Sequence, residues 1–236
     1  MIYRELSAEE FNDLASRILY EDNHLLVINK KAGEIVQGDK TSDEPLTETC
    51  KAFIAKRDAK PGQVFMGLPH RLDRPVSGIV VLAKTSKALE RLNAMFRDGN
   101  VSKIYWALVC NEPQQKEKLL EGMLWRNEKQ NKSYICRPGA LRKDARLAKL
   151  IYKYIGKTER YFLLEVELMT GRHHQIRCQL SDMGCPIKGD LKYGAPRSNP
   201  DGGISLHARR ITFTHPVKKE PLTIEAPVPA SWPELR

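Results

Sequence analysis

The chain has 236 residues, 41% of them hydrophobic and 29% charged, which is enough apolar material for one large core or two small ones. Lysine and arginine exceed aspartate and glutamate by ten, with an isoelectric point near 9.4, a balance that attracts polyanions and nucleic acid above all. Five scattered cysteines without a C-x-x-C pair argue against a disulfide framework or a cysteine zinc site, and neither a signal peptide nor an apolar run near the roughly 18 residues of a membrane span is present, so a reducing, cytoplasmic setting is expected.

Ser7, with Glu10 three residues on, is a capping-box pattern that predicts a helix over residues 7–20. Leu25-Leu26-Val27-Ile28-Asn29 reads as a strand, Lys30-Lys31-Ala32-Gly33 as a basic turn, and residues 38–45 as a polar loop. A second helix is expected over residues 46–56, with Leu46, Cys50, Phe53 and Ile54 on one side, broken by Ala59-Lys60-Pro61-Gly62. His70-Arg71-Leu72-Asp73-Arg74-Pro75-Val76-Ser77-Gly78 follows, one acid between two arginines. Pro75 fixes its own φ and biases Arg74 toward extended geometry, so a stiff loop is predicted, feeding an apolar strand from Ile79 to Ala83. Flanking cations favour an ionised Asp73, available as nucleophile or base; a turn-capping Asp paired with Arg71 is the alternative.

Residues 86–98 carry a stripe of Ala88, Leu89, Leu92, Met95 and Phe96 and end at Gly99, the pattern of an amphipathic helix with a glycine C-cap. A strand is expected over residues 102–110, a hairpin or variable excursion over 112–138, and two strands, 147–152 and 161–168, around a Gly156-Lys157 turn. A helix from just after Gly171 to Met183, closed by Gly184, and strands near Ile211 and Leu222 complete the reading before a proline-rich tail. Strands outnumber helices and are often hairpin-connected. The expected class is α+β with a largely antiparallel sheet, in a single domain with no internal repeat.

Two further stretches carry chemistry. In Thr170-Gly171-Arg172-His173-His174-Gln175-Ile176-Arg177, helical spacing sets His173, Ile176, Arg177 and Leu180 on one face, which leaves Arg177 partly buried. A buried guanidinium requires a carboxylate or phosphate, and Asp73 is the expected partner; Arg172, near the helix N-terminus, suits a phosphate. A surface helix with solvated arginines is the alternative. In Lys103-Ile104-Tyr105-Trp106-Ala107-Leu108-Val109, alternation sets Tyr105 with Ala107 and Val109, either as ordinary core or as a ring on which a nucleobase stacks. A metal site built on His70, Asp73 and the adjacent His173 and His174 is not expected, because neighbouring helical histidines point about 100° apart and no H-E-x-x-H or zinc-deaminase pattern occurs. Nor is there a phosphate-cradling glycine loop or a G-x-S-x-G serine. An ionised acid, a partly buried arginine, a phenol and a basic surface suit nucleotide chemistry driven by one carboxylate, without metal or cofactor.

Four ordered motifs then resemble the RluA family of RNA pseudouridine synthases: His70-Arg71-Leu72-Asp73 with Ser77-Gly78; Lys103-x-Tyr105-x-Ala107-Leu108-Val109; Gly171-Arg172-x-His174-Gln175-Ile176-Arg177; and Leu206-His207-Ala208 with His215-Pro216. The resemblance runs over about residues 18–227. It implies a bent, mostly antiparallel mixed sheet flanked by helices, with an RNA-binding cleft and no cofactor. By resemblance Asp73 is the catalytic aspartate, Tyr105 packs on the target uracil, and Arg177 is the basic partner of Asp73. Arg71 fills or holds the space vacated by the flipped base, and His70, Leu72, Arg74, Arg172 and His174 join it in binding substrate. Two departures stand out. Val76 occupies a position where many relatives carry Thr, and residues 1–17 are too few for the S4 RNA-binding domain that many relatives carry. A monomeric uridine-to-pseudouridine isomerase acting on a ribosomal or transfer RNA stem-loop is therefore expected. An inactive RNA-binding module, or a metal-dependent phosphoesterase using His70, Asp73 and His174, are the alternatives.

Overall fold

The computed structural model describes residues 3–38, 42–137, 139–140 and 142–234, so part of the expected 38–45 loop and the end of the 112–138 excursion lie outside the described residues. The elements in chain order begin with α1 (Ala8–Ser16), β1 (Ile18–Glu21), β2 (Leu25–Lys30), α2 (Leu46–Arg57), β3 (Ser77–Ala83) and α3 (Ser86–Arg97). They continue with β4 (Ser102–Val109), β5 (Glu117–Asn127), β6 (Lys132–Ile135), β7 (Arg146–Lys157), β8 (Phe162–Leu168), α4 (Gln175–Asp182), β9 (Leu206–Thr214) and β10 (Pro221–Glu225). The class is α+β with mostly antiparallel strand pairing, as expected. The chain divides into two compact units, Met1–Val101 with Arg210–Pro227 and Ser102–Arg209 with Val228–Arg236.

In the first unit β1, β2 and β3 pair antiparallel in that order, and the Arg210–Thr214 part of β9 pairs with β10. Every residue of β3 is buried, which explains why residues 79–83 are uniformly apolar instead of alternating. The Ser7 capping box forms, with the Ser7 hydroxyl accepting from Glu10 N–H and the Glu10 carboxylate from Ser7 N–H. The helix stops four residues before the expected Tyr20, however. Residues 18–21 turn back as β1, with Ile18 opposite Ile28 and Tyr20 opposite Val27, so pairing with β2 overrides the helical spacing. Thr85 caps α3 by accepting from Ala88 N–H at 3.2 Å, and Gly99, at φ +78°, ends it. Gly67 exchanges both backbone hydrogen bonds with Ala83 at 2.8 Å. A Cβ at Gly67 would meet Leu89 of α3 at 2.7 Å, so only glycine lets the chain pass there.

In the second unit the strand order is β4-β8-β7-β5-β6, all antiparallel. The expected Gly156-Lys157 turn is instead a register shift within β7. The true turn follows at Thr158, whose hydroxyl accepts from Tyr161 N–H at 3.0 Å. A local glycine marked the irregularity, but the threonine closes the hairpin. Helix α4 starts at Gln175, four residues later than Gly171 suggested, because His174 takes a left-handed backbone (φ +52°). Gly184, at φ +84°, closes it as expected.

Removing the Thr85 hydroxyl leaves an orphan N–H at the start of α3. Thr85→Ala is expected to lower unfolding stability by about 1 kcal/mol, measured as a fall in urea midpoint at unchanged m-value.

Candidate active site

The loop carrying Asp73 is anchored at both ends. Before it, His70 stacks on Phe96 of α3 with ring centroids 4.7 Å apart, and its Nε2 accepts from Val81 N–H of β3 at 2.9 Å. After it, a turn closes as Val76 N–H donates to the Asp73 carbonyl at 3.0 Å. Leu72 points inward and Ser77 is buried, while Asp73 is partly buried and Arg71 exposed. Arg74 is exposed and forms an ion pair with Asp43 at 2.7 Å.

What holds this turn is a residue read from sequence as part of a surface turn. Lys30 ends β2 and is 1% exposed. Its ammonium donates to the carbonyls of Val76 at 2.6 Å, Lys31 at 2.9 Å and Arg74 at 3.1 Å. The Arg74 carbonyl also accepts from Gly33 N–H at 2.8 Å. Three donors on one buried cation thus meet three carbonyls, two of them in the loop that presents Asp73. Burial pushes the Lys30 pKa down to about 8, while the charges of Glu34 and Asp73 pull it back up. The Lys30-Lys31 pair masked this role. In an alternating strand the first lysine points in and the second out, and only pairing with β3 decides which.

In the second unit, Tyr105 is buried on β4 opposite Val166 of β8. Arg177 on α4 is buried, as helical spacing suggested. The carboxylate seen against it is Asp190, which accepts from Nε at 2.7 Å and from Nη2 at 2.8 Å in a bidentate fork. Asp190 follows Gly189, whose φ of +90° and 2.7 Å approach to Asn199 leave no room for a Cβ. The Arg177 guanidinium also lies over the Tyr193 ring, 5.1 Å from its centroid. The Tyr193 hydroxyl accepts from Ser133 N–H at 2.8 Å and lies 3.0 Å from His174 Nδ1. Burial and the nearby Arg177 charge push the His174 pKa down to about 2, so this imidazole is neutral. Asp190 and Tyr193 were not read from the sequence as site residues. The glycine before Asp190 was the available signal.

The late start of α4 changes two expectations. His173 and His174 lie outside the helix, and their rings stack 3.7 Å apart instead of diverging. Arg172 is exposed, its Nε donating to the Leu147 carbonyl at 2.9 Å, so it lies ahead of the helix and not in its first turn. Among the described residues no three His, Cys, Asp or Glu side chains are grouped as a metal ion would require.

An acid on a clamped turn in one unit, a buried arginine fork in the other and a net charge of +10 are compatible with an enzyme of nucleic acid. Similarity to known proteins makes this specific. A family model described as RNA pseudouridylate synthase matches residues 24–182. A ribosomal large subunit pseudouridine synthase C of Vibrio vulnificus is 36% identical over 222 residues, covering 92% of this chain and 67% of that one. Its namesake in Escherichia coli K12 is 33% identical over 223 residues, covering 91% and 67%. A solved human structure, RNA pseudouridylate synthase domain containing 4, matches in fold with a TM-score of 0.78 at 24% identity, covering 93% of this chain and 91% of that one. The chain belongs to the RNA pseudouridine synthase family, and it is an isomerase of RNA.

Lys30 titrates near 10.5 when unfolded and near 8 when folded, so between these values the unfolded state holds more protons and the contribution of Lys30 to stability rises with pH. Lys30→Met is expected to cost about 2 kcal/mol at pH 7 by stripping three carbonyls of their donor. It should also abolish that rise, so the gap between wild-type and variant urea midpoints widens from pH 8 toward 10. A gap independent of pH would mean Lys30 keeps its ordinary pKa.

Proposed function

We propose that this synthase isomerises a uridine in structured ribosomal RNA, with Asp73 as the group that attacks C1′ or removes a ribose proton. The ribosomal target follows the names of its relatives, both called large subunit synthases. The reaction breaks the N1–C1′ bond, turns the uracil and joins C5 to C1′, and the C5 proton leaves as N1 gains one. Atoms and electrons balance within the nucleotide, so neither cofactor nor redox partner is required. A stacked uridine is out of reach, and the base has to be flipped out of its helix first.

The observation that carries this reading is the clamped turn. A partly buried carboxylate on a backbone fixed by Lys30 and Gly33 loses little entropy when it meets its target, as positioned catalysis requires. In the same reading Tyr105 packs on the uracil and Arg177, held by its fork to Asp190, is the cationic partner of Asp73. Arg71 holds the space the base leaves, and the exposed Arg74 and Arg172 meet phosphates. His70, Leu72 and His174 bear on the RNA from inside, through the loop or helix start that each one packs. The chain acts as a single catalytic domain with its core over about residues 18–227. It works as a monomer in the cytoplasm; among the described residues no helix is long and apolar enough to cross a membrane.

Asp73→Asn is expected to keep RNA affinity within about threefold of wild type while lowering pseudouridine formation at least about 10⁴-fold, assayed by mass spectrometry of digested ribosomal RNA. Product at the wild-type rate from this variant would remove Asp73 from the chemistry. A wild-type chain active on transfer RNA but inert on ribosomal RNA would shift the substrate and leave Asp73 in place.

A further inference from the structure

The β5–β6 hairpin in the second unit carries an arrangement that the reaction does not use. Trp125 and Tyr134 are cross-strand partners with rings stacked 5.2 Å apart and tilted by 25°. The Arg142 guanidinium lies over Trp125, 4.1 Å from its centroid. Lys132 lies between Tyr134 and Tyr193, 5.3 Å and 5.0 Å from their centroids, and Tyr193 in turn faces Arg177. A continuous row of stacked cations and rings, with Trp125 and Tyr134 adjacent, thus runs from the exposed Arg142 to the buried Arg177. The Arg142 end is open, its side chain 50% exposed, with the equally exposed Asp144 at its edge, 3.0 Å from Nε.

Charge concentrates at the same end. Seven lysines and arginines and two acids lie between Trp125 and Arg146, so this stretch holds five of the chain's ten net positive charges. The hairpin tip is braced by Arg126 Nη2 to Asn131 Oδ1 at 2.9 Å, Tyr134 hydroxyl to Gln130 Oε1 at 2.6 Å and Lys192 Nζ to the Asn131 carbonyl at 3.2 Å. A preorganised, flat, cationic surface of this kind matches an unpaired base with its phosphates. The net charge of +5 over this stretch favours a polyanion over a protein partner.

We propose that this hairpin is a second RNA contact of the enzyme, at which an unpaired base stacks on the outer plane of Arg142 and Arg126, Lys129, Lys143 and Arg146 meet the neighbouring phosphates. Trp125 is the positioning residue that holds the guanidinium flat. The inference rests on the RNA-directed function above and names where, besides the target uridine, that RNA is gripped.

The test separates plane from charge. Binding is measured by fluorescence polarisation with a labelled RNA stem closed by a uridine-rich loop, and with the same stem closed by an abasic loop. For the uridine loop, Arg142→Ala is expected to weaken binding about tenfold and Arg142→Lys about fivefold, since lysine keeps the charge and loses the plane. Trp125→Ala should resemble Arg142→Lys, and Trp125→Phe should restore most of the loss. For the abasic loop, Arg142→Lys should match wild type within about twofold. In turnover on ribosomal RNA these losses are expected in KM, with kcat within about twofold. Arg142→Lys binding the uridine loop like wild type would overturn the proposal. So would equal losses on both loops, or a preference of the wild-type chain for ribosomal protein over protein-free RNA. Arg142 is exposed, so its variants carry the test should Trp125→Ala fail to fold. A chain that binds as expected and forms no pseudouridine would sink the isomerase reading and leave this one standing.

Discussion

The loop that bears Asp73 depends on an ammonium group placed where water does not reach. An unpaired buried charge would cost several kcal/mol; three carbonyls replace the hydration shell of Lys30, and the charges of Glu34 and Asp73 favour its protonated form. Those carbonyls are drawn together in return. The Arg74 and Val76 carbonyls, on either side of Pro75, have to face the end of β2, which closes the turn that carries Asp73. Gly33 completes the clamp from the next turn, where φ +91° demands glycine. A flexible loop would reach the same geometry only part of the time. Here the cost of ordering is met in folding and not at each encounter with RNA.

The second unit solves a similar problem with opposite charges. The Arg177–Asp190 fork is buried on both sides, at 6% and 1% side-chain exposure, and its bidentate geometry offsets much of the desolvation that such a pair incurs. Around it the polar atoms are shared economically. Tyr193 serves Ser133 and His174 with its hydroxyl and Arg177 with its ring. His174, held neutral, adds no charge to the cluster. The result is an arginine whose plane is fixed by its own unit. The row of cations and rings that leads outward from Tyr193 extends the same packing logic to the surface.

Much of the framework was legible because local signals and tertiary demands agree. Ser7 and Glu10 mark a helix start, the apolar stripe of residues 86–98 and Gly99 mark α3, and the apolar run at Ile79 lies in the fully buried β3. The misreadings share one cause. At residues 18–21, 156–157 and 171–174 the sequence permits two local structures, and contacts with partners distant in sequence choose between them. Pairing with Ile28 and Val27 makes β1 a strand. The partner strand β8 absorbs Gly156 as an irregularity within a longer β7. The His173 ring stacked on His174, and the Ser133 hydroxyl against the backbone carbonyl and Nδ1 of His173, accompany the left-handed residue that delays α4.

By itself the sequence determined the class and the family, and it singled out Asp73 as the acid to propose. Spaced motifs and a surplus of positive charge are one-dimensional properties, and a proline-bracketed Asp between two arginines stands out without coordinates. Tertiary structure alone decided what holds the acid and the arginine. Lys30 differs from Lys31 only in which face of a strand it meets, and Asp190 from any surface aspartate only in that the chain folds Gly189 against Asn199 and brings it to Arg177. Burial of a charge is a property of the whole fold, because the groups that solvate it in place of water come from segments far apart in the chain.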